Sequence, residues 1–168
     1  MTRAIKNGRY TLLRRLGEGS QGETWEARDE IAAGKRPRDS GDLRTQWNDF
    51  VRRANEPPSP HETVAVKCFR VGTAKAWKDV ELAEREARTL ASIDHDRLPR
   101  YVEHFEEDGT LYLVMERIAG ESVASRRRAG QVFGPAEVVR MLDDAARALG
   151  YLHARSPPIV HRDIKPGN

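Results

Sequence analysis

His161–Asn168 reads HRDIKPGN, eight residues that include a histidine, an arginine, an aspartate, a lysine and an asparagine. Such a run holds something charged or moves a proton. Asp163 can accept a proton from a hydroxyl, and Asn168 offers a carbonyl oxygen to a hard cation such as magnesium. Lys165, two residues on from the aspartate, can neutralise an anion. A polar turn built around an Arg–Asp pair is the plainer alternative, and the rest of the chain has to decide between the two.

Working outward, the run follows GPAEVVRMLDDAARALGYLHA, a strong helix signal with Pro135 in the first turn. Val138, Met141, Leu142, Ala145, Leu149 and Leu152 give it a broad apolar stripe. GESVASRRRAG before it reads as a short polar helix. Upstream the period changes to that of strands: YTLLRRL from Tyr10 to Leu16, then TWEAR, then the β-branched TVAVKCFRV. RYVEHF and TLYLVMER form a hairpin around EEDG. Between the third strand and the hairpin, TAKAWKDVELAEREARTLASI reads as a helix with Val80, Ala83, Ala87, Leu90 and Ala91 on its apolar side. Glu86 has Leu82 and Leu90 one turn away on either side, so its carboxylate points inward and demands a cation.

Residues 29–63 break this pattern. Pro37, Pro57, Pro58 and Pro60 punctuate them, and Leu43, Trp47, Phe50, Val51 and Ala54 fall on one helical face. They read as a surface insertion with one short amphipathic helix. Lengthening a connection between two strands costs little, so the insertion need not disturb either one.

The chain of 168 residues suits one domain, or part of a larger one. Its 38% hydrophobic and 33% charged content fits a globular protein with a wet surface. The net charge of +3 is small, and basic groups such as Arg126–Arg128 are scattered among acids, which argues against a nucleic-acid partner. The single cysteine, Cys68, sits in an apolar run and suits a reducing compartment. With no apolar leader and no segment able to cross a bilayer, the expected location is the cytoplasm.

Two further pieces join the opening run. GEGSQGET places Gly17, Gly19 and Gly22 between two strands, where glycines let backbone N–H groups approach phosphates. Because a strand follows, a dinucleotide-binding turn is disfavoured. Lys67 lies inside the otherwise apolar VAVK and must pair or reach solvent, and Glu86 is the acid the next helix offers.

In this order, GEGSQGET, VAVK and HRDIKPGN resemble the eukaryotic-type protein kinase family, in the style of its bacterial members, from about Tyr10 to Asn168. Lys165 is similar to the serine/threonine branch. The resemblance implies an α+β fold, with a small lobe of antiparallel strands and one packed helix over residues 10–116. The hinge and the first helices of an incomplete helical lobe would then occupy 117–168. It implies ATP and Mg2+ as cofactors and protein serine or threonine hydroxyls as acceptors.

Gly17, Glu18, Gly19, Ser20 and Gly22 would cover the phosphates, and Lys67, held by Glu86, would contact the α- and β-phosphates. Ala65 would pack on the purine and Met115 would stand behind it. Backbone groups of Glu116 and Ile118 would meet its edge, with Glu121 near the ribose. Asp163 would deprotonate the acceptor, Lys165 would steady the γ-phosphate and Asn168 would bind magnesium. Leu90, Tyr101 and His161 look like members of an apolar stack, and Arg162 suggests control by phosphorylation of an activation loop.

There are departures. Thr24 stands where the family has valine, and no DFG occurs in these residues. The sequence therefore reads as an amino-terminal fragment that is inert on its own, within a family that transfers phosphate. A non-catalytic remnant serving as an interaction module is the alternative.

Overall fold

The computed structural model describes residues 3–19, 22–33, 62–70 and 76–167. The insertion helix expected at Leu43–Ala54, the Val80 side chain, Ser20 and Asn168 lie outside the described residues. The fold is α+β. Six strands make one antiparallel sheet: β1 (Arg3–Ile5), β2 (Tyr10–Gly19), β3 (Gly22–Asp29), β4 (Thr63–Arg70), β5 (Tyr101–Glu107) and β6 (Thr110–Glu116). Their spatial order is β1-β2-β3-β4-β6-β5. Three helices complete the described elements: α1 (Ala76–Ala91), α2 (Val123–Arg128) and α3 (Pro135–His153).

The chain divides into two compact units, Met1–Ser92 with Arg100–Arg117, and Ile93–Pro99 with Ile118–Asn168. In the first unit, β4 explains the architecture. Its alternate residues Val64, Val66 and Cys68 join a core with Tyr10, Leu12, Ala27, Tyr112 and Val114 on one face of the sheet. Phe69 joins Ala83, Ala87, Leu111 and Leu113 on the other, where α1 packs. Both faces are covered, so the strand reads as a nearly continuous apolar run. Each valine-sized side chain removed from water there stabilises the fold by roughly 1.5–3 kcal/mol.

The β5–β6 hairpin turns on Asp108 and Gly109, both at positive φ (51° and 66°), the backbone twist that a two-residue turn needs to match its strands. β1 was not expected. Lys6, Asn7 and Gly8 turn the chain at positive φ, and Ile5 pairs with Tyr10, which closes a second hairpin. Three residues carry too little alternation to announce a strand. This one is held by burial of Ile5 and by the bond from Arg3 Nη2 to the Tyr112 hydroxyl, 2.8 Å.

Behind that hairpin lies a polar network. Arg9 and Asp29, both buried, pair at 3.2 Å, and Arg9 also meets Glu103 at 3.0 Å. Lys6 and the Tyr10 hydroxyl bond the same Glu103 carboxylate. Burial works against the Arg9 charge, but Tyr10, Glu103 and Asp29 outweigh it and hold its pKa above the ordinary value. Asp29 also caps the following turn, accepting from Ile31 N at 3.0 Å and Ala32 N at 3.3 Å. Its own N–H donates to Glu62 O, 3.0 Å, so the chain leaves and rejoins the sheet at one point.

α1 departs in part from expectation. Ala83 and Ala87 are buried and Leu90 half-buried, but Ala91 is exposed because the helix ends there, and Leu82 is 45% exposed.

In the second unit, α3 spans the residues its signal marked, starting on Pro135 after Gly134 as cap. Its stripe is only partly covered. Ala148 and Leu152 are buried, while Val138 and Leu142 stay exposed. The 93–99 loop is fastened to α3: Asp94 N donates to the Tyr151 hydroxyl at 3.0 Å, and Arg97 meets Asp144 at 2.7 Å. No helix among the described residues is long and apolar enough to cross a membrane.

Candidate functional site

The first unit assembles the glycine turn, the lysine and the acid on one face of the sheet. Directly opposed residues of an antiparallel pair share a face. Thr24 stands opposite Lys67, Glu26 opposite Ala65, and Ala65 opposite Met115. The same face receives α1, and its first-to-last-turn geometry delivers Glu86 to Lys67. Nζ of Lys67 lies 2.7 Å from Oε1 and 2.8 Å from Oε2 of Glu86. Neither group is sealed off, since the lysine side chain is 22% exposed and the glutamate 36%. The ammonium also lies 4.8 Å from the Phe69 ring centroid, a favourable cation–π distance. A half-buried ammonium held by a carboxylate is a fixed positive charge at this place in the sheet.

Gly19 pairs with Gly22 at the end of the β2–β3 hairpin. The two glycines differ. Around Gly17 and Gly19 a Cβ would meet nothing within 4 Å, whereas at Gly22 it would lie 2.0 Å from the Cys68 carbonyl oxygen. Gly22, at φ +142°, therefore lets the start of β3 lie close against β4, one residue from Lys67. Glu18 is tied back along its own strand to Arg15, 2.8 Å.

Ala65 is buried and Met115 packs against the α1-side core. Glu116 N donates to Arg100 O at 2.8 Å, so its N–H is engaged within the first unit. Two groups of the first unit escaped the sequence reading. Leu16, at the bulge between Arg15 and Gly17, is 40% exposed beside the glycine turn. Glu26 is nearly buried between Arg14 and Arg117. A cross-strand partner 91 positions away leaves no signal in local periodicity.

The second unit carries the described part of the opening run, His161–Gly167. Lys165 Nζ grips both Asp163 oxygens at 2.9 and 2.8 Å, with both side chains exposed. Arg162 adopts φ +62°, a left-handed conformation uncommon for a side-chain-bearing residue, and this turns the chain between His161 and Asp163. His161, expected in an apolar stack, is exposed, and its Nδ1 accepts from Asp163 N at 3.3 Å. Leu90 and Tyr101 pack against the α1-side core of the first unit. Ile118 is 61% exposed and Glu121 is exposed too.

Two backbone bonds fasten the run at its ends: Ile159 N to Leu152 O, 3.0 Å, and Ala124 N to Pro166 O, 2.7 Å. The second depends on α2, whose cap Ser122 accepts from Ser125 N at 3.2 Å. Ser122→Ala is expected to destabilise the chain by about 1 kcal/mol. The same change should speed hydrogen exchange at the Ala124 amide. Exchange at the wild-type rate would show that the cap does not hold this end of the run.

Lys67 and Glu86 thus meet in one unit, and Asp163 and Lys165 in the other. A protein kinase domain model matches residues 51–168. Serine/threonine-protein kinase B of Synechocystis sp. is 31% identical over 163 residues, covering 96% of this chain and 24% of that protein. PknA of Mycobacterium tuberculosis is 32% identical over 168 residues, covering 96% and 32%. PrkC of Bacillus subtilis is 27% identical over 162 residues, covering 96% and 20%. The chain thus spans a third or less of the length of these relatives, and the alignments with them take in the glycine turn that the family model leaves out. The chain belongs to the protein kinase domain family, with bacterial serine/threonine kinases among its relatives.

Proposed function

We propose that this chain is the nucleotide-binding and catalytic-loop portion of an ATP-dependent protein serine/threonine kinase. The observation that carries the reading is the two-oxygen grip of Glu86 on Lys67, with Gly22 packed close against the same strand. Residues 10–116 serve as the small lobe and 117–168 as the start of the large one. Lys67 meets the α- and β-phosphates, the turn from Gly17 to Gly22 covers the chain of phosphates, and Ala65 and Met115 border the purine. Leu16 adds apolar surface next to them. The Glu116 carbonyl and the Ile118 backbone take the purine's edge.

Asp163 orients the acceptor hydroxyl and takes its proton as the oxygen bonds to the γ-phosphorus, while the bond to the departing ADP oxygen breaks. Lys165, released from Asp163, follows the transferred group. Magnesium supplies charge neutralisation on the phosphates when bound. Its expected ligand, Asn168, lies outside the described residues, and no group of three potential metal ligands occurs among the described ones. A buried Cys68 that takes part in no disulfide fits the reducing, ATP-rich cytoplasm.

Titration of the chain with ATP tests the reading. The wild type should bind, and Lys67→Met should weaken binding about ten- to a hundredfold, the worth of a charge-assisted bond to phosphate. Equal affinity of the two proteins would sink it.

A further inference from the structure

We propose that Glu26 is a positioning residue for the adenine base, acting through Arg117. This rests on the ATP reading above and adds a residue to it. Glu26 occupies the face of β3 that carries Thr24, and it stands opposite Ala65, the residue assigned to the purine. An acid at that place is costly unless neutralised, because its side chain is only 14% exposed. Two arginines neutralise it at the same oxygen: Arg14 Nη2 approaches Oε2 to 2.7 Å and Arg117 Nε to 3.1 Å. Neither contact has the angles of an aligned hydrogen bond, so charge attraction rather than directional bonding holds them.

The two arginines are not equivalent. Arg14 is 61% exposed and can swing away, whereas Arg117 is 24% exposed. Arg117 directly follows Glu116, whose N–H is fixed on Arg100 O and whose carboxylate accepts from Arg100 N at 3.2 Å. The strand end is therefore tied on one side to the residue preceding β5 and on the other to β3. Between these ties sits the Glu116 carbonyl, the group assigned to the base. Without Glu26, the second tie is lost and the strand end that presents the carbonyl is held less firmly, by its Arg100 and β4 neighbours alone. A donor or acceptor misplaced by about an ångström loses much of its value in binding.

A merely structural ion pair would affect stability and leave the base-dependent part of binding alone. The test is calorimetric titration of the chain with ATP and, separately, with inorganic tripolyphosphate, which has no base. Glu26→Gln keeps the shape and removes the charge. It should weaken ATP about five- to tenfold and leave tripolyphosphate unchanged. Arg117→Gln should do the same, and the double variant should add little to either single change, as expected for residues acting as one unit. Should Glu26→Gln fail to fold, Arg117→Gln and the same ligand pair carry the test.

Unchanged ATP affinity in the variants, or an equal loss for both ligands, overturns the proposal while leaving the kinase reading intact. A wild type that binds no ATP overturns both.

Discussion

Gly22→Ala is expected to lower the free energy of unfolding by about 2–5 kcal/mol, while Gly17→Ala and Gly19→Ala change it by less than about 1 kcal/mol. The contrast comes from two features that only Gly22 combines. Its φ of +142° is a conformation that side-chain-bearing residues rarely adopt, and its missing Cβ would lie 2.0 Å from the Cys68 carbonyl oxygen. That neighbour is backbone of β4, bonded in the middle of the sheet, and cannot step aside. The other two glycines have open space around them. Urea unfolding of the three variants measures the difference. If Gly22→Ala unfolded at the same midpoint as Gly17→Ala, the start of β3 would not lie close against β4 as described. The result also separates two uses of glycine in one motif, close packing at its end and backbone freedom at its start.

Asp29→Ala should cost about 3–5 kcal/mol, because it strips the more deeply buried of two counter-charges from a buried arginine. Asp29 is fully buried and Arg9 nearly so, and the same carboxylate caps the turn at Ile31 and Ala32. Glu103 remains as a second partner for Arg9, which favours the lower end of the range. Replacing both residues, Arg9→Met with Asp29→Asn, should cost less than the two single changes added together, since no charge is then left stranded. Additive losses in the thermal or urea transition would mean that the two do not act as a pair. Such a pair is expected to matter less for net stability than for holding the β1–β2 turn in a single arrangement.

Much of this was legible in local sequence. The α3 helix runs from Pro135 to His153 because a proline sets its first turn and apolar residues recur at helical spacing. The acid at Glu86 found its lysine because an inward carboxylate has few alternatives. What escaped was whatever depends on distant partners. β1 is too short to show a period, and its partners Tyr10 and Tyr112 are supplied by tertiary structure. Glu26 reads as one more charged neighbour of Trp25 until the register brings it to Ala65 and Arg117. On α3, spacing marked Val138 and Leu142 as apolar but could not say whether anything covers them, and both are exposed.

The order of the strands has a kinetic corollary. β2 and β3, like β5 and β6, are neighbours in sequence with short connections and can pair soon after collapse. β4 has no such local partner: it pairs with β3 across the long connection after Asp29, and with β6 on the far side of α1. Its docking must close two large loops at once, the slow kind of step in sheet assembly. Lys67 therefore reaches Glu86 only when the middle of the sheet is completed, and half-assembled chains carry no anchored ammonium on that face.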